Sequence, residues 1–471
     1  MQFKEKVVLL QNGNGCYRND GYYFWKRQQN RIAMKFYDRE NEQRQLHKVL
    51  LQSRKEAQMT VLMGRRRVGK TELSLKCGDE KVLYFFVGKK SEAMLCHDFL
   101  DEIENKLGTP IIGQVSSFSE VFKLVLYFAE KQPFTLVIDE FQNFLKINPT
   151  VFSDMQRDWD LHKRTSHLNL IISGSVFTLM KRIFEDYEEP LFGRANERIT
   201  LQPFYTTVLK EILADYNPKY TKEDLLALFS ITGGVPWYVS LLLDNGQISK
   251  NQMLSALTEE NSPFISEGRN MLIEEFGTDY VTYFSILTCI AGGMKTRAEI
   301  EGELGIGNIG SYLAKLENYY RIITKSLPIF AKPTSKKVRY QLNDCFLIFW
   351  FRFFYKHQAL VENKALKSLD AIIQRDYSTL SGFMMERYFA RKFEEEGKYI
   401  IGKWWDRKGE NEIDLIVADP IEKEAWVYEL KKQGERYDAK VLKEKVKTMV
   451  AQTPELAKMK LHVGSLSMED M

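Results

Sequence analysis

The stretch GRRRVGKT, residues 64–71, decides how this sequence is read. It fits G-x-x-x-x-G-K-[ST], and its flanks supply the context that pattern needs. The apolar TVLMG before it reads as a buried strand, and KTELSLKC after it opens a helix. Gly64 and Gly69 let backbone N–H groups wrap phosphate oxygens at a helix N-terminus. Lys70 then reaches the β- and γ-phosphates and Thr71 ligates Mg²⁺, so ATP with Mg²⁺ is the expected pair. The nucleotide contacts are expected from Gly64, Arg65, Arg66, Arg67, Val68, Gly69, Lys70, Thr71 and Glu72. Three arginines inside the loop raise the local positive potential; ordinary solvated side chains are the alternative.

LVIDEFQN, residues 136–143, completes the motif pair. Asp139 ends an apolar strand, where its carboxylate can hold the Mg²⁺ shell, and Glu140 can polarise the attacking water. An Asp-Glu at a strand end alone signals only a solvated edge. Downstream of a phosphate loop it points to hydrolysis. In IISGS, residues 171–175, Ser173 or Ser175 can contact the γ-phosphate or the water, and a plain serine turn is the alternative. Arg194, in FGRANER, is the candidate arginine finger, with a surface role as its alternative and Arg198 as a neighbouring candidate.

Outward from these motifs, short apolar strands alternate with helices: VLYFFVG from Val82, FTLVID from Phe134 and LNLIISGS from Leu168. That alternation predicts an α/β fold with a parallel sheet covered on both faces. The expected organisation is an N-terminal extension over 1–33, an ATPase core over 34–199, a helical lid over 200–275, a winged helix over 276–355 and a small α/β domain over 356–471. The extension lacks periodicity, so either Met34 is the native start or the first residues form an arm. Within 276–355, Thr296 is the expected N-cap and Gly305 the stop of one helix, NIGSYLAKLENYYRI is the candidate recognition helix, and a basic hairpin follows. Ser311, Lys315 and Asn318, with Lys332, Lys336, Lys337 and Arg339, are candidate phosphate contacts, against a winged helix used for protein contacts or as a hinge.

The bulk numbers set limits. A chain of 471 residues suggests two to four domains at roughly 100–200 residues each. A net charge of +4 confines any nucleic-acid surface to a local patch. The 5 cysteines include no C-x-x-C pair, which disfavours a disulfide framework or structural zinc. The most apolar run, CFLIFWFRFFY from Cys345, is too short to span a bilayer and carries Arg352. A cytoplasmic location without membrane partners is the expectation, with a homo-oligomer or a protein partner left open.

The ordered set FYDRENEQRQLHKVL, GRRRVGKTEL, LVIDEFQN, IISGS, PLFGRANERITLQPF and TGGVPWYV resembles the prokaryotic, archaeal-type AAA-related (STAND-like) ATPases over about residues 34–275. The resemblance implies that Asp38 and Arg39 lie near the adenine and that Pro236 belongs to a lid near the nucleotide. It extends further, since EIDLIVAD and AWVYELKK resemble the core of the PD-(D/E)XK nuclease superfamily. That likeness implies Asp414 as first acid, Glu429 and Lys431 as the E-x-K, and Glu386 as the acid on the first helix. Glu386, Asp414 and Glu429 are then the expected metal ligands, with Lys431 orienting water for DNA cleavage. On a strand, Glu429 and Lys431 point to one face, although acids and lysines on such faces usually only solvate an edge. A signalling switch with an inert C-terminal domain and a protein-remodelling ATPase are the competing functions.

Overall fold

The computed structural model describes residues 34–78, 81–111, 113–276, 280–433 and 437–471. The expected N-terminal extension lies outside the described residues.

Five parallel strands form the first sheet: β1 (Gln58–Gly64), β2 (Val82–Phe86), β3 (Phe134–Asp139), β4 (Leu168–Gly174) and β5 (Glu197–Leu201), in the order β2-β3-β4-β1-β5. Every residue of β1, β3 and β4 is buried, because these strands are interior and helices cover both faces. Their predominantly apolar character fits the buried strands that the alternating pattern predicted. The edge strand β5 was not anticipated. Its pattern ERITL buries only Ile199 and Leu201, which is too sparse to stand out. All five strands run the same way, so residues 64, 139 and 174 end at one edge of the sheet.

The core beneath this sheet is aromatic. Phe85 stacks on Phe99 with centroids 4.3 Å apart, Phe99 meets Phe118 edge-on, and Phe141 meets Phe144 and Phe152. Burying each such ring contributes roughly 1.5–3 kcal/mol. The helix Phe118–Lys131 enters this core from a capping box, Ser117 with Glu120, which satisfies two otherwise orphaned N–H groups.

Five helices follow: Thr206–Tyr216, Lys222–Thr232, Pro236–Leu243, Lys250–Ala256 and Pro263–Phe276. Gly233 ends the second in a left-handed conformation (φ 57°), and Pro236 starts the third. Next come Tyr280–Ala291, Arg297–Leu304 with the Thr296/Glu299 capping box and Gly305 stop, and Gly310–Ala314. The last continues as a π-helical turn over Lys315–Tyr319. β6 (Ile323–Ser326) and β7 (Arg339–Leu342) pair antiparallel. The apolar run from Cys345 is buried at the junction of these elements, where the Trp350 Nε1 donates to the Ile265 carbonyl (2.8 Å). Gly268 is required there, since a Cβ would lie 2.3 Å from the indole.

A 29-residue helix, Leu366–Glu394, leads into β8 (Ile400–Trp405), β9 (Glu412–Asp419) and β10 (Glu424–Leu430), which run antiparallel in turn. The helix Ala439–Gln452 then crosses over to β11 (Lys460–Leu466), which pairs parallel to β10. β11 was not read from the sequence, because KLHVGSL is half-exposed throughout and shows no alternation. Among the described residues no helix is long and apolar enough to cross a membrane.

Candidate active site

The phosphate loop leaves β1 between β4 and β5. A Cβ on Gly64 would lie 2.9 Å from the Leu201 carbonyl, so only glycine lets the loop start this close to β5. Gly69 (φ 89°) and Arg67 (φ 73°) are left-handed, which turns successive N–H groups inward. Lys70 is buried, and its Nζ donates to the carbonyls of Gly64 (2.9 Å) and Arg65 (3.0 Å). Burial lowers its pKa, and the nearby Glu140 and Asp139 oppose that shift.

Asp139 is the hub of the site. Its Oδ2 accepts from the Thr71 hydroxyl (2.7 Å) and the Tyr84 hydroxyl (2.9 Å). Its Oδ1 accepts from the Ser173 hydroxyl (2.6 Å) and the Glu140 N–H (3.0 Å). Thr71 and Asp139 thus present touching oxygens of the hard kind that Mg²⁺ takes, so these residues fit the ion. Glu140 is left-handed (φ 57°), and its Oε2 accepts from Ser175 (2.7 Å) and the Gln142 side chain (2.5 Å). The two serines of IISGS therefore divide the work, Ser173 holding Asp139 and Ser175 holding Glu140. Tyr84 and Gln142 were not foreseen. Tyr84 sits on β2, the neighbour of β3, and burial pushes its phenol well above the usual range.

The loop arginines face helices that follow β5 in the chain. Arg67 pairs with Glu267 (3.2 Å) and lies 4.1 Å over the Trp237 ring. Arg65 pairs with Asp344, the N-cap of the buried helix that begins at Cys345. Arg66 is half-buried, and Val68 is buried. Glu72 pairs with Lys76 on the exposed side of its helix (3.1 Å). Arg194 is engaged by Asp160 (3.1 Å) and the Phe192 carbonyl (2.8 Å), both outside the phosphate loop. Arg39 donates to the Gln202 carbonyl (2.7 Å) and reaches the Val68 carbonyl (3.5 Å), which ties FYDRE to the loop.

In the C-terminal sheet, Asp414 lies one position beyond the Leu415–Tyr428 pair, which brings it beside Glu429. Its Oδ2 accepts from the Leu430 N–H (2.9 Å). Burial, then the charge of Glu386, pushes the Asp414 carboxyl up to about 6. Lysines meet the other acids. Lys403 pairs with Glu386, while Lys431 (2.9 Å) and Lys445 (3.2 Å) pair with Glu429. The hydrogen bond to Glu429 raises the Lys431 pKa. Among the described residues no three Asp, Glu, His or Cys side chains converge to hold a metal ion. As placed, these acids do not fit a metal ion.

The basic hairpin is partly engaged as well. Arg339 pairs with Glu412 (2.9 Å) and lies 4.4 Å over Trp405, and Lys337 donates to the Gln452 side chain (3.1 Å). Ile329, in the connection between β6 and β7, joins the core of the C-terminal sheet, and its N–H donates to the Lys403 carbonyl (2.8 Å). Lys332, Lys336, Ser311, Lys315 and Asn318 are exposed.

Residues 36–242 match an ATPase domain predominantly from Archaea, and residues 350–444 match archaeal and bacterial proteins of unknown function. An uncharacterized protein of Methanocaldococcus jannaschii is 30% identical over 408 residues, covering 84% of this chain and 87% of the relative. A Walker-type ATPase of Pyrococcus abyssi shares the fold at TM-score 0.52 and 20% identity, over 67% of this chain and 96% of that one. The Aeropyrum pernix ORC2 protein aligns at TM-score 0.48 and 15% identity, over 70% of this chain and 97% of that one. The chain belongs to the archaeal-type ATPase family, with a Walker-type ATPase domain followed by a C-terminal domain of unknown function.

Proposed function

We propose that this protein is an ATP hydrolase whose nucleotide state governs a winged-helix segment and a nuclease-like C-terminal module acting on DNA. The observation that carries the hydrolase is the hub at Asp139, where Thr71, Tyr84, Ser173 and the Glu140 N–H fix one carboxylate. The loop amides cradle the phosphates, and Lys70 turns from the Gly64 and Arg65 carbonyls to the β- and γ-phosphates. Thr71 and Asp139 would hold Mg²⁺, which when bound offsets phosphate charge. Glu140, held by Ser175, orients the water, and the fixed donors cost little reorganisation at the moment of reaction. Glu140→Gln should keep nucleotide binding and lower turnover about 100-fold. An unchanged rate, measured as phosphate release, would remove Glu140 from this role.

The DNA-acting reading is supported by the order helix, three antiparallel strands, helix and parallel strand, with Asp414 and Glu429 on adjoining strands and Lys431 one residue past the end of β10. The helices over 280–319 with the β6–β7 pair support the winged helix. A second reading, a regulatory switch with an inert C-terminal module, is favoured by the lysines that already neutralise Glu386 and Glu429. Single- and double-stranded DNA incubated with Mg²⁺ or Mn²⁺, with and without ATP, separates the two. Cleavage lost in Asp414→Ala supports the nuclease; DNA left equally intact by wild type and variant supports the switch.

A further inference from the structure

The long helix Leu366–Glu394 carries Glu386, and one turn later it reaches the base of the lid. Arg391 donates from Nη1 to the Gly233 carbonyl (3.0 Å) and from Nη2 to the carbonyls of Pro203 (2.9 Å) and Phe204 (3.0 Å). Its Nε pairs with Glu395 (3.0 Å). Glu395 in turn accepts from the Thr206 N–H (2.9 Å) and the Thr206 hydroxyl (2.7 Å). Thr206 begins the helix Thr206–Tyr216, whose N-cap Tyr205 supplies no side-chain cap, so Glu395 caps that helix from another part of the fold.

The lid segment held this way also touches the nucleotide loop. Leu201 packs against Gly64, Gln202 accepts from Arg39, and Arg39 reaches Val68 and lies 5.4 Å over the Phe204 ring. Phe204 and Gly234 are locked together, since the Phe204 N–H donates to the Gly234 carbonyl (2.8 Å). A Cβ on Gly234 would lie 2.6 Å from the Phe204 carbonyl, so only glycine lets the two segments lie this close. One contiguous set of contacts therefore runs from the phosphate loop through residues 201–206 to Arg391 and Glu395, and along a rigid helix to Glu386. A cavity of about 1090 Å³ is lined by both ends of this path, including Arg65, Gly233, Arg391, Glu386 and Asp414.

We propose that Arg391 and Glu395 form a joint that imposes the position of the lid on the helix bearing Glu386, so that nucleotide occupancy sets the geometry of the C-terminal acids. The inference rests on the reading that the lid answers to ATP. Arg391 and Glu395 are positioning residues, because neither belongs to the phosphate loop or to the acid pair on β9 and β10. The forked guanidinium suits the task. It grips three carbonyls on two loops and a carboxylate on its own helix, so a shift of either loop is felt as a pull on the helix. Coupling between sites rests on an element whose equilibrium both sites bias, and this helix is in contact with both.

The test is hydrogen exchange of the full chain with and without ATPγS and Mg²⁺, read at residues 64–71, 201–206 and 380–395. In wild type, nucleotide should change exchange in all three segments. In Arg391→Gln the first two responses should persist, while the response at 380–395 falls about fivefold or more. Arg391→Lys, which keeps a cation but not the fork, should restore part of it. Glu395→Gln, a milder change that keeps an acceptor for Thr206, should show the same loss in smaller degree. ATP turnover should stay within about twofold in each, because these side chains do not touch the reacting groups. A helix that responds equally in wild type and variants overturns the joint, as does a wild-type helix that ignores nucleotide while 64–71 responds. Both results leave the ATPase standing. No response at 64–71 overturns the nucleotide reading itself, and the joint with it.

Discussion

The ATPase edge and the C-terminal acid pair both gather carboxylates and lysines, and they resolve the charge in opposite ways. At the first, Lys70 is held by carbonyl oxygens and Asp139 by hydroxyls and an amide. Among the described residues no carboxylate neutralises the lysine by direct contact, so its charge remains available to phosphate. At the second, Glu386 and Glu429 are already paired with lysines, and Asp414 is left among like charges. A site whose cations are parked on neutral acceptors can take an anion without first breaking an ion pair. A site whose charges are internally paired must exchange those pairs before it takes anything.

The largest effect that could break this contrast is at Lys70. Lys70→Ala should reduce ATP turnover by about 100- to 1,000-fold, because one preorganised cation at the transferring phosphate is lost. Turnover at the normal rate would mean that the parked lysine is not the phosphate contact. Tyr84→Phe sharpens the contrast. It removes one of the hydroxyls on Asp139, a loss of roughly 1 kcal/mol, and turnover should fall about fivefold with nucleotide affinity almost unchanged. A variant indistinguishable from wild type would make Tyr84 a packing residue only.

The smallest effect tests the acid pair. The Asp414 carboxyl titrates near 6 in the fold against an ordinary value of 3.8. Between those values the folded chain binds more protons than the unfolded chain, so stability falls as pH rises through that window and stays lower above it. Asp414→Asn, which keeps an oxygen for the Leu430 N–H, should match wild type near pH 3.5. It should melt about 2–4 °C higher at pH 7.5. A gap of equal size at both pH values would show that the charge of Asp414 is not the cause.

The comparison also marks what sequence could show. Gly64–Thr71 and Asp139 are legible because their geometry is local: a strand, a turn and a helix in one run. Tyr84 reaches Asp139 only because β2 lies beside β3, and Arg67 meets Glu267 across 200 residues, so no spacing announces either contact. Ser175 was weighed against Ser173, and each holds a different acid. Thr296 and Gly305 were readable as helix ends because capping is a property of a few adjacent residues. β5 and β11 escaped because edge strands bury too little to alternate clearly. Arg391 and Glu395 have i,i+4 spacing, and their meaning lies in the loops that pack against them.

The engagement of Lys337 and Arg339 with the C-terminal sheet has a consequence in salt. Each phosphate neutralised by a basic group releases condensed counterions and adds about 0.9 to the slope of log affinity against log salt on duplex DNA. Of the lysines over 310–319 and on the hairpin, Lys315, Lys325, Lys332 and Lys336 remain exposed. Duplex binding through this face alone would therefore depend on salt with a slope of about 4 or less. A duplex held only by these groups would loosen gradually as ionic strength rises.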